Sequence, residues 1–223
     1  MLSYQEAEAW CNSLTLEAAR EWALAHPFVF RGKEYTYLIS TSYPNTLFEL
    51  LRGERCVEVP IIYEIIKEYK PEEILEVGNV MSHWYPVSHD IVDKYEVAPG
   101  VMNIDIVDYN PEKRYKLIIC ISTLEHIGKD DEPMKPKKSK EALEKMKSLL
   151  ALGGKLVVTW PIGENKVLDE MVIIREIEFN ELYGLKRIEF FEWVEADFEE
   201  IKNCSYGSPY PYGNAVGIGV IRR

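Results

Sequence analysis

The spacing of hydrophobic and polar positions changes period repeatedly along this chain. In Glu73–Ser82 (EILEVGNVMS) a short apolar run of Ile74, Leu75 and Val77 encloses one carboxylate, Glu76, and ends at Gly78, which predicts a buried strand and a tight turn. Asp90–Tyr95 is a second run, interrupted by Asp93, and Met102–Val107 a third, carrying Asp105. Tyr115–Ile121 (YKLIICI) is the clearest strand signal, Lys155–Trp160 (KLVVTW) a fifth strand, and Arg187–Val194 and Ala215–Ile221 two late ones. Between them the period lengthens to that of a helix. Val59, Ile62, Ile65, Ile66 and Tyr69 share one face, closed by Pro71. Ala142, Leu143, Met146, Leu149 and Leu150 form another, opened by Ser139 and stopped by Gly153 and Gly154, and Leu168, Met171 and Val172 a third. Strands alternating with helices predict an α/β sheet, and two late strands joined by a loop point to an antiparallel edge.

The first 57 residues read as an N-terminal α/β extension packing on a core of residues 58–223. Ser3 with Glu6 has the capping-box spacing, and Thr15 can cap a second helix running through Ala25. FVFRGKEYTYL places β-formers on both sides of Arg31-Gly32-Lys33-Glu34, a hairpin pattern. Thr46 with Glu49 is another capping box, with Gly53 as its stop.

Composition narrows the function. With 223 residues, 47% of them hydrophobic, the chain can bury a sizeable core. No apolar run reaches membrane-spanning length and no signal-peptide layout opens the sequence, so a soluble, cytoplasmic protein without membrane insertion is expected. Cys11, Cys56, Cys120 and Cys204 are widely separated, which argues against a zinc site and a disulfide framework; no metal is expected. The formal charge of −11 argues against a nucleic-acid partner. The one strong charge run is Lys135–Lys140.

The succession LEVG, VDKYE, NIDIVD, YKLIICISTLEHIG and LLALGGKLVVTWPIG resembles the class I S-adenosylmethionine-dependent methyltransferases, over roughly residues 58–221. STLEHIG and GGKLVVTWPIG are its most specific pieces, and small bacterial and archaeal members of unassigned acceptor are the most similar. The resemblance implies a Rossmann-like sheet of seven strands, mostly parallel with an antiparallel last strand, and S-adenosylmethionine as cofactor. It also implies roles. Glu76 lies beneath the methionine head, Gly78 and Asn79 form the turn that lets head and sugar approach, and Asp93 accepts both ribose hydroxyls. Asp105 accepts from the adenine amine with Ile104 or Ile106 against the ring, and carbonyls near Ile121 and Ser122 hold the ammonium.

Read as residues alone, each has a plainer alternative. Glu76 can be a strand-end acid paired with a lysine, and Asp93 and Asp105 solvated loop acids. His126 is either a general base near the transferred methyl or a residue that shapes the pocket. His83 and Trp84 either touch a ligand or pack, and Tyr206, Tyr210 and Tyr212 with Pro209 and Pro211 form either an acceptor wall or a rigid turn.

Two departures from the family pattern stand out. Asn79-Val80-Met81-Ser82 follows Gly78 where further glycines are common, and the connections after the first two sheet strands are too short for full crossover helices. A rudimentary third strand is expected. The leading expectation is methyl transfer to a small acceptor, a sugar or other metabolite hydroxyl or amine. The alternative is a non-catalytic binding or assembly protein of the same fold. A dinucleotide oxidoreductase is disfavoured, because no G-x-G-x-x-G follows the first sheet strand.

Overall fold

The computed structural model describes residues 3–39 and 53–223. In chain order its elements are α1 (Tyr4–Ser13), α2 (Leu16–Ala25), β1 (Phe28–Phe30), β2 (Lys33–Tyr35), α3 (Arg55–Ile66), β3 (Ile74–Val77), β4 (Asp90–Val92), β5 (Val101–Met102), β6 (Tyr115–Ile121), α4 (Lys138–Leu149), β7 (Leu150–Pro161), α5 (Lys166–Ile173), β8 (Glu181–Glu189), β9 (Glu192–Ala196), α6 (Phe198–Ile201) and β10 (Ala215–Arg222). The expected capping box at Thr46 and Glu49 lies outside the described residues. Among those described, no helix is long and apolar enough to cross a membrane.

Strands β3 to β10 make one eight-stranded sheet in the order β5-β4-β3-β6-β7-β10-β8-β9, and β1 pairs with β2 separately. The pairs β5 with β4, β4 with β3, β3 with β6 and β6 with β7 are parallel. β10 runs against both neighbours. Ile162 N–H donates to Ala215 O and Arg223 N–H to Gly154 O, and on the other side Arg187 N–H donates to Asn214 O and Asn180 N–H to Val220 O. The α/β class, the mostly parallel Rossmann-like sheet and the antiparallel last strand are therefore present. The strand count is eight rather than seven, because Arg187–Val194, expected as one strand, is the bend of a hairpin between β8 and β9. The bend residues are Phe190 and Phe191, which carry no turn signal. Packing and one cation hold it: the Arg187 guanidinium donates from Nε and Nη2 to the Phe190 carbonyl and from Nη1 to the Pro211 carbonyl at 3.0 Å.

Contacts group the chain into two units, described here separately. The first contains residues up to 63, 161–164 and 183–217. Its helices start as the sequence predicts, α1 with Ser3 and Glu6 in a reciprocal capping box and α2 with Thr15 accepting from Ala18 N–H. The β1–β2 turn is Arg31-Gly32 alone, both at positive φ (54° and 71°), so Lys33 and Glu34 already belong to the returning strand. α3 begins at Arg55, four residues before the expected start, and contains Pro60. Proline has no N–H to give the carbonyl four residues back. That carbonyl, on Cys56, accepts instead from Leu38 N–H at 3.0 Å. Cys11 and Cys56 are buried thiols that burial pushes up to about 12, consistent with inert packing residues.

The Pro/Tyr-rich segment of this unit is a rigid turn. Asn214, 3% exposed, accepts from Tyr210 N–H at 2.9 Å and donates to the carbonyls of Ser205, Tyr210 and Tyr212, while Tyr210 OH donates to Ile188 O. Asn214→Ala strands these groups and should cost about 2 kcal/mol, read as a lower midpoint in urea unfolding; an unchanged midpoint would show that the turn holds without it.

The second unit comprises 64–160, 165–182 and 218–223. Its core is the buried inner run of β3 and β6, with Leu75, Leu117, Ile118 and Ile119 all shut off from solvent. The stripe of α4 is buried as expected, but the helix ends at Leu149. The chain is extended from Leu150, so Gly153 and Gly154 lie within β7, near its irregular pairing with β6 between Tyr115 and Leu117, rather than at the helix stop. Trp160 is held by Asp169 of α5, its Nε1 donating at 3.1 Å. β5 is only two residues long, where Met102–Val107 had been expected. Asp105 accepts Val107 N–H and turns the chain into a single 3-10 turn at Ile106–Asp108. The β3–β4 connection holds one 3-10 turn, Met81–His83, and the β4–β5 connection no helix.

Candidate functional site

Parallel strands end with their loops and free backbone groups on one side of a sheet, and a crevice opens where the strand order reverses. Here the chain goes from β3 outward to β4 and β5, then returns to the other side of β3 as β6. A cavity of about 410 Å³ lies at that point, wholly within the second unit. Loops after β3, β4, β5 and β6 all contribute to its wall.

Gly78, at φ +87°, ends β3 and lines the cavity. A Cβ there would stand 2.1 Å from Thr123 Oγ1, so only glycine lets the β3 and β6 loops meet. Asp93 follows β4. Its Oδ1 accepts from Tyr95 N–H and Glu96 N–H, both at 2.8 Å, and its Oδ2 from Asn79 N–H at 3.0 Å. The carboxylate therefore fixes two loops at once. Glu96, presented by that turn, lines the cavity and is steadied by Asn79 Nδ2 at 2.6 Å and His83 Nε2 at 3.2 Å. Ile104, Ile106 and Ile127 supply an apolar slot.

One side of the cavity is a cluster of four charges. Lys138 Nζ lies 2.5 Å from Asp105 and 2.6 Å from Asp131, and Lys94 Nζ lies 2.6 Å from Asp131 and 3.4 Å from Asp105. Lys138 and Asp131 are both nearly shut off from solvent. The two ammonium groups, Lys138 first, hold Asp131 far below the usual carboxylate range. Burial works against ionising Asp105, yet Lys138 and the Val107 N–H bring it below that range as well. His126 sits on the turn after β6 with Nδ1 at 2.9 Å from Asp130 Oδ2, and both line the cavity.

Of the residues singled out in the sequence, the structure brings together Gly78, Asp93, Ile104, Asp105, Ile106 and His126. Glu76, Asn79, Ile121 and Ser122 do not line the cavity. Glu76 is fully buried: Oε1 accepts from Val80 and Met81 N–H at 2.9 and 2.8 Å, and Oε2 lies 2.7 Å from His89 Nε2. The Ile121 carbonyl accepts from Thr123 Oγ1 at 2.9 Å, and Ser122 is buried at φ 33°. Sequence reasoning missed Glu96, Thr123, Asp130, Asp131 and Lys138. Lys138 stood inside the one strong charge run, Lys135–Lys140, and Glu96 had nothing to distinguish it from the acids around it.

No family model matches the chain, and no curated protein matches it in sequence. Solved structures do match. The N-methyltransferase NodS from Bradyrhizobium japonicum is 14% identical, covering 76% of this chain and 96% of its own, with a TM-score of 0.43. An S-adenosylmethionine-dependent methyltransferase from Clostridium acetobutylicum is 13% identical over 72% of this chain and 88% of its own, at 0.38. An rRNA methylase from Streptococcus thermophilus is 14% identical over 74% and 96%, at 0.42.

Proposed function

We propose that the protein is an S-adenosylmethionine-dependent methyltransferase acting on a small acceptor with a hydroxyl or an amine. The observation that carries this is the cavity at the strand-order switch, where a glycine turn, the Asp93–Glu96 carboxylates and an isoleucine slot stand together. The volume, the apolar slot for a ring and the paired acceptors for a diol fit the nucleoside part of that cofactor. When bound, S-adenosylmethionine supplies a methyl group on a sulfonium leaving group. Glu96 accepts from the ribose hydroxyls, and Asp93, its lone pairs largely taken by three N–H groups, positions the turn that presents Glu96. His126, with Nδ1 2.9 Å from Asp130 Oδ2 and Nε2 3.8 Å from the buried Glu125 Oε1, takes the proton of a hydroxyl acceptor in this reading. The remaining work is to hold the acceptor in line with the methyl group.

Isothermal titration with S-adenosylmethionine and its demethylated product tests the reading. Micromolar binding is expected, weakened about tenfold or more in Glu96→Gln, the loss of a charge-assisted pair of hydrogen bonds. His126→Asn should keep this binding and lose turnover on hydroxyl acceptors. No binding by the intact protein would overturn the proposal. The engagement of Glu76 and the Ile121 carbonyl within the protein favours a second reading, a binding protein of methyltransferase fold. Binding without turnover on any hydroxyl or amine acceptor would select it.

A further inference from the structure

The loops after β4 and β6 are joined by their side chains, although these strands are not neighbours. β3 lies between them, and adjacent strands stand about 4.8 Å apart, so roughly 10 Å separates the two strand ends. Lys94 Nζ, from the loop after β4, lies 2.6 Å from Asp131 Oδ1, and Tyr95 OH donates to the same oxygen at 3.1 Å. Asp131 belongs to the connection between β6 and α4. The Lys94 ammonium also sits 4.9 Å from the centre of the Tyr95 ring, so the two side chains act as one unit. Their link to Asp131 crosses the end of β3. Val77 and Gly78, which close that strand, line the cavity, as do Lys94, Tyr95 and Asp131. The strand end bounds the cavity on one side and the link on another.

The charge cluster that holds this link has two layers. The side chains of Lys138 and Asp131 are each 7% exposed and form a fixed inner pair. Lys94 is 36% exposed and Tyr95 62%, so their contacts face solvent. Exposed ion pairs are weak, whereas breaking a buried one is costly. Asp131 and Asp105 both keep Lys138 when Lys94 leaves, so the outer layer opens without stranding a buried charge. The main chain stays put. Asp93 Oδ1 accepts from Tyr95 N–H and Glu96 N–H, both at 2.8 Å, while the exposed side chains of Lys94 and Tyr95 swing by rotamer changes alone. Glu96 therefore keeps its place when they move.

We propose, on the reading of this cavity as the cofactor site, that Lys94 and Tyr95 form a strap across it that must release Asp131 before the nucleoside enters. Entry is then slowed by a contact that the ligand itself does not need.

Surface plasmon resonance on the immobilised full chain, with S-adenosylhomocysteine as analyte, gives the association and dissociation rates. This probe is a zwitterion without net charge, so salt acts little on the encounter itself. Lys94→Met combined with Tyr95→Phe should raise the association rate about fivefold. Tyr95→Phe alone, which leaves every ion pair in place, should raise it about twofold. Increasing ionic strength should speed association with the wild type by screening the exposed pair, and leave the double variant unchanged. An association rate that neither the substitutions nor salt alters would overturn the strap and leave the cofactor site standing. Faster dissociation at an unchanged association rate would make the two side chains plain wall contacts and overturn it equally. No binding by either chain would overturn the cofactor reading, and the strap with it.

Discussion

Gly78→Ala should cripple both folding stability and cofactor binding. The backbone at φ +87° lies where a side-chain-bearing residue costs about 1–2 kcal/mol. The added Cβ would also stand 2.1, 2.7 and 2.8 Å from Oγ1, Cγ2 and Cβ of Thr123. Rotating the threonine cannot relieve this, since its own Cβ is among the atoms struck. The two loops must separate, which adds overpacking strain of about 1–3 kcal/mol. Both residues line the cavity, so the shift reshapes the place where the nucleoside is proposed to lie. Urea unfolding should show the lost stability, and titration should show S-adenosylmethionine affinity lowered at least about tenfold. An alanine variant with wild-type midpoint and affinity would mean that the contact between these loops is not the constraint inferred here.

The second large effect is expected at Lys138. Lys138→Met leaves Asp131 and Asp105 sharing the Lys94 ammonium in a site with little solvent, and removing one partner from a buried ion cluster costs about 3 kcal/mol or more. The dependence on pH is what separates this from lost packing. Asp131 and Asp105 have depressed folded-state values, so the stability they contribute is present above the ordinary carboxylate value of about 4 and disappears as pH falls through their lower folded values. Lys138 is raised by Asp105 and Asp131 against the opposing effect of burial. Its contribution is complete below the ordinary lysine value of about 10 and fades as pH rises through the raised one. The stability gap between wild type and variant should therefore be widest between those limits and close towards strong acid. A gap independent of pH would mean that Lys138 contributes through its hydrocarbon stem alone.

Most of the sheet was legible because its strands announce themselves as apolar runs bounded by turn residues. YKLIICI and KLVVTW need no tertiary information to be recognised, and Ser3 and Thr15 mark their helix starts by local hydrogen-bonding chemistry, whereas the helix expected to run through Tyr69 to Pro71 ends at Ile66 and Pro71 opens a 3-10 turn instead. The β8–β9 hairpin was hidden for the opposite reason. Its bend is made of phenylalanines, and the Phe190 carbonyl is satisfied by the side chain of Arg187 three residues earlier, so none of the usual turn residues marks it. The start of α3 was obscured by Pro60, whose missing hydrogen bond is compensated by a residue 18 positions upstream of Cys56, Leu38. In the site, Asp93 and Asp105 line the cavity while Glu76, the third strand-end acid, does not, and their duties depend on the partners brought to them. Glu76 and Asp93 hold loops by accepting backbone N–H groups, and only coordinates reveal that Glu96, three residues on, lines the cavity with its carboxylate steadied by the Asn79 and His83 side chains. Lys138 illustrates the same limit, since a lysine in a basic run looks solvated until folding buries it between two aspartates.

The shortness of β5 and the position of β9 bear on self-association. A sheet's outer strands present unpaired N–H and C=O groups that can template a strand from another molecule. At one end of this sheet the outer strand is Val101–Met102, and Asp93 N–H and Ile104 N–H both donate to the Met102 carbonyl, so little open backbone remains there. At the other end β9 carries glutamates at positions 192 and 195, β1 packs beside it, and Arg31 N–H donates to the Glu195 carboxylate at 2.8 Å. One edge is guarded by brevity, the other by like charge and a neighbouring hairpin, and chains meeting edge to edge find neither a long ladder nor a neutral one.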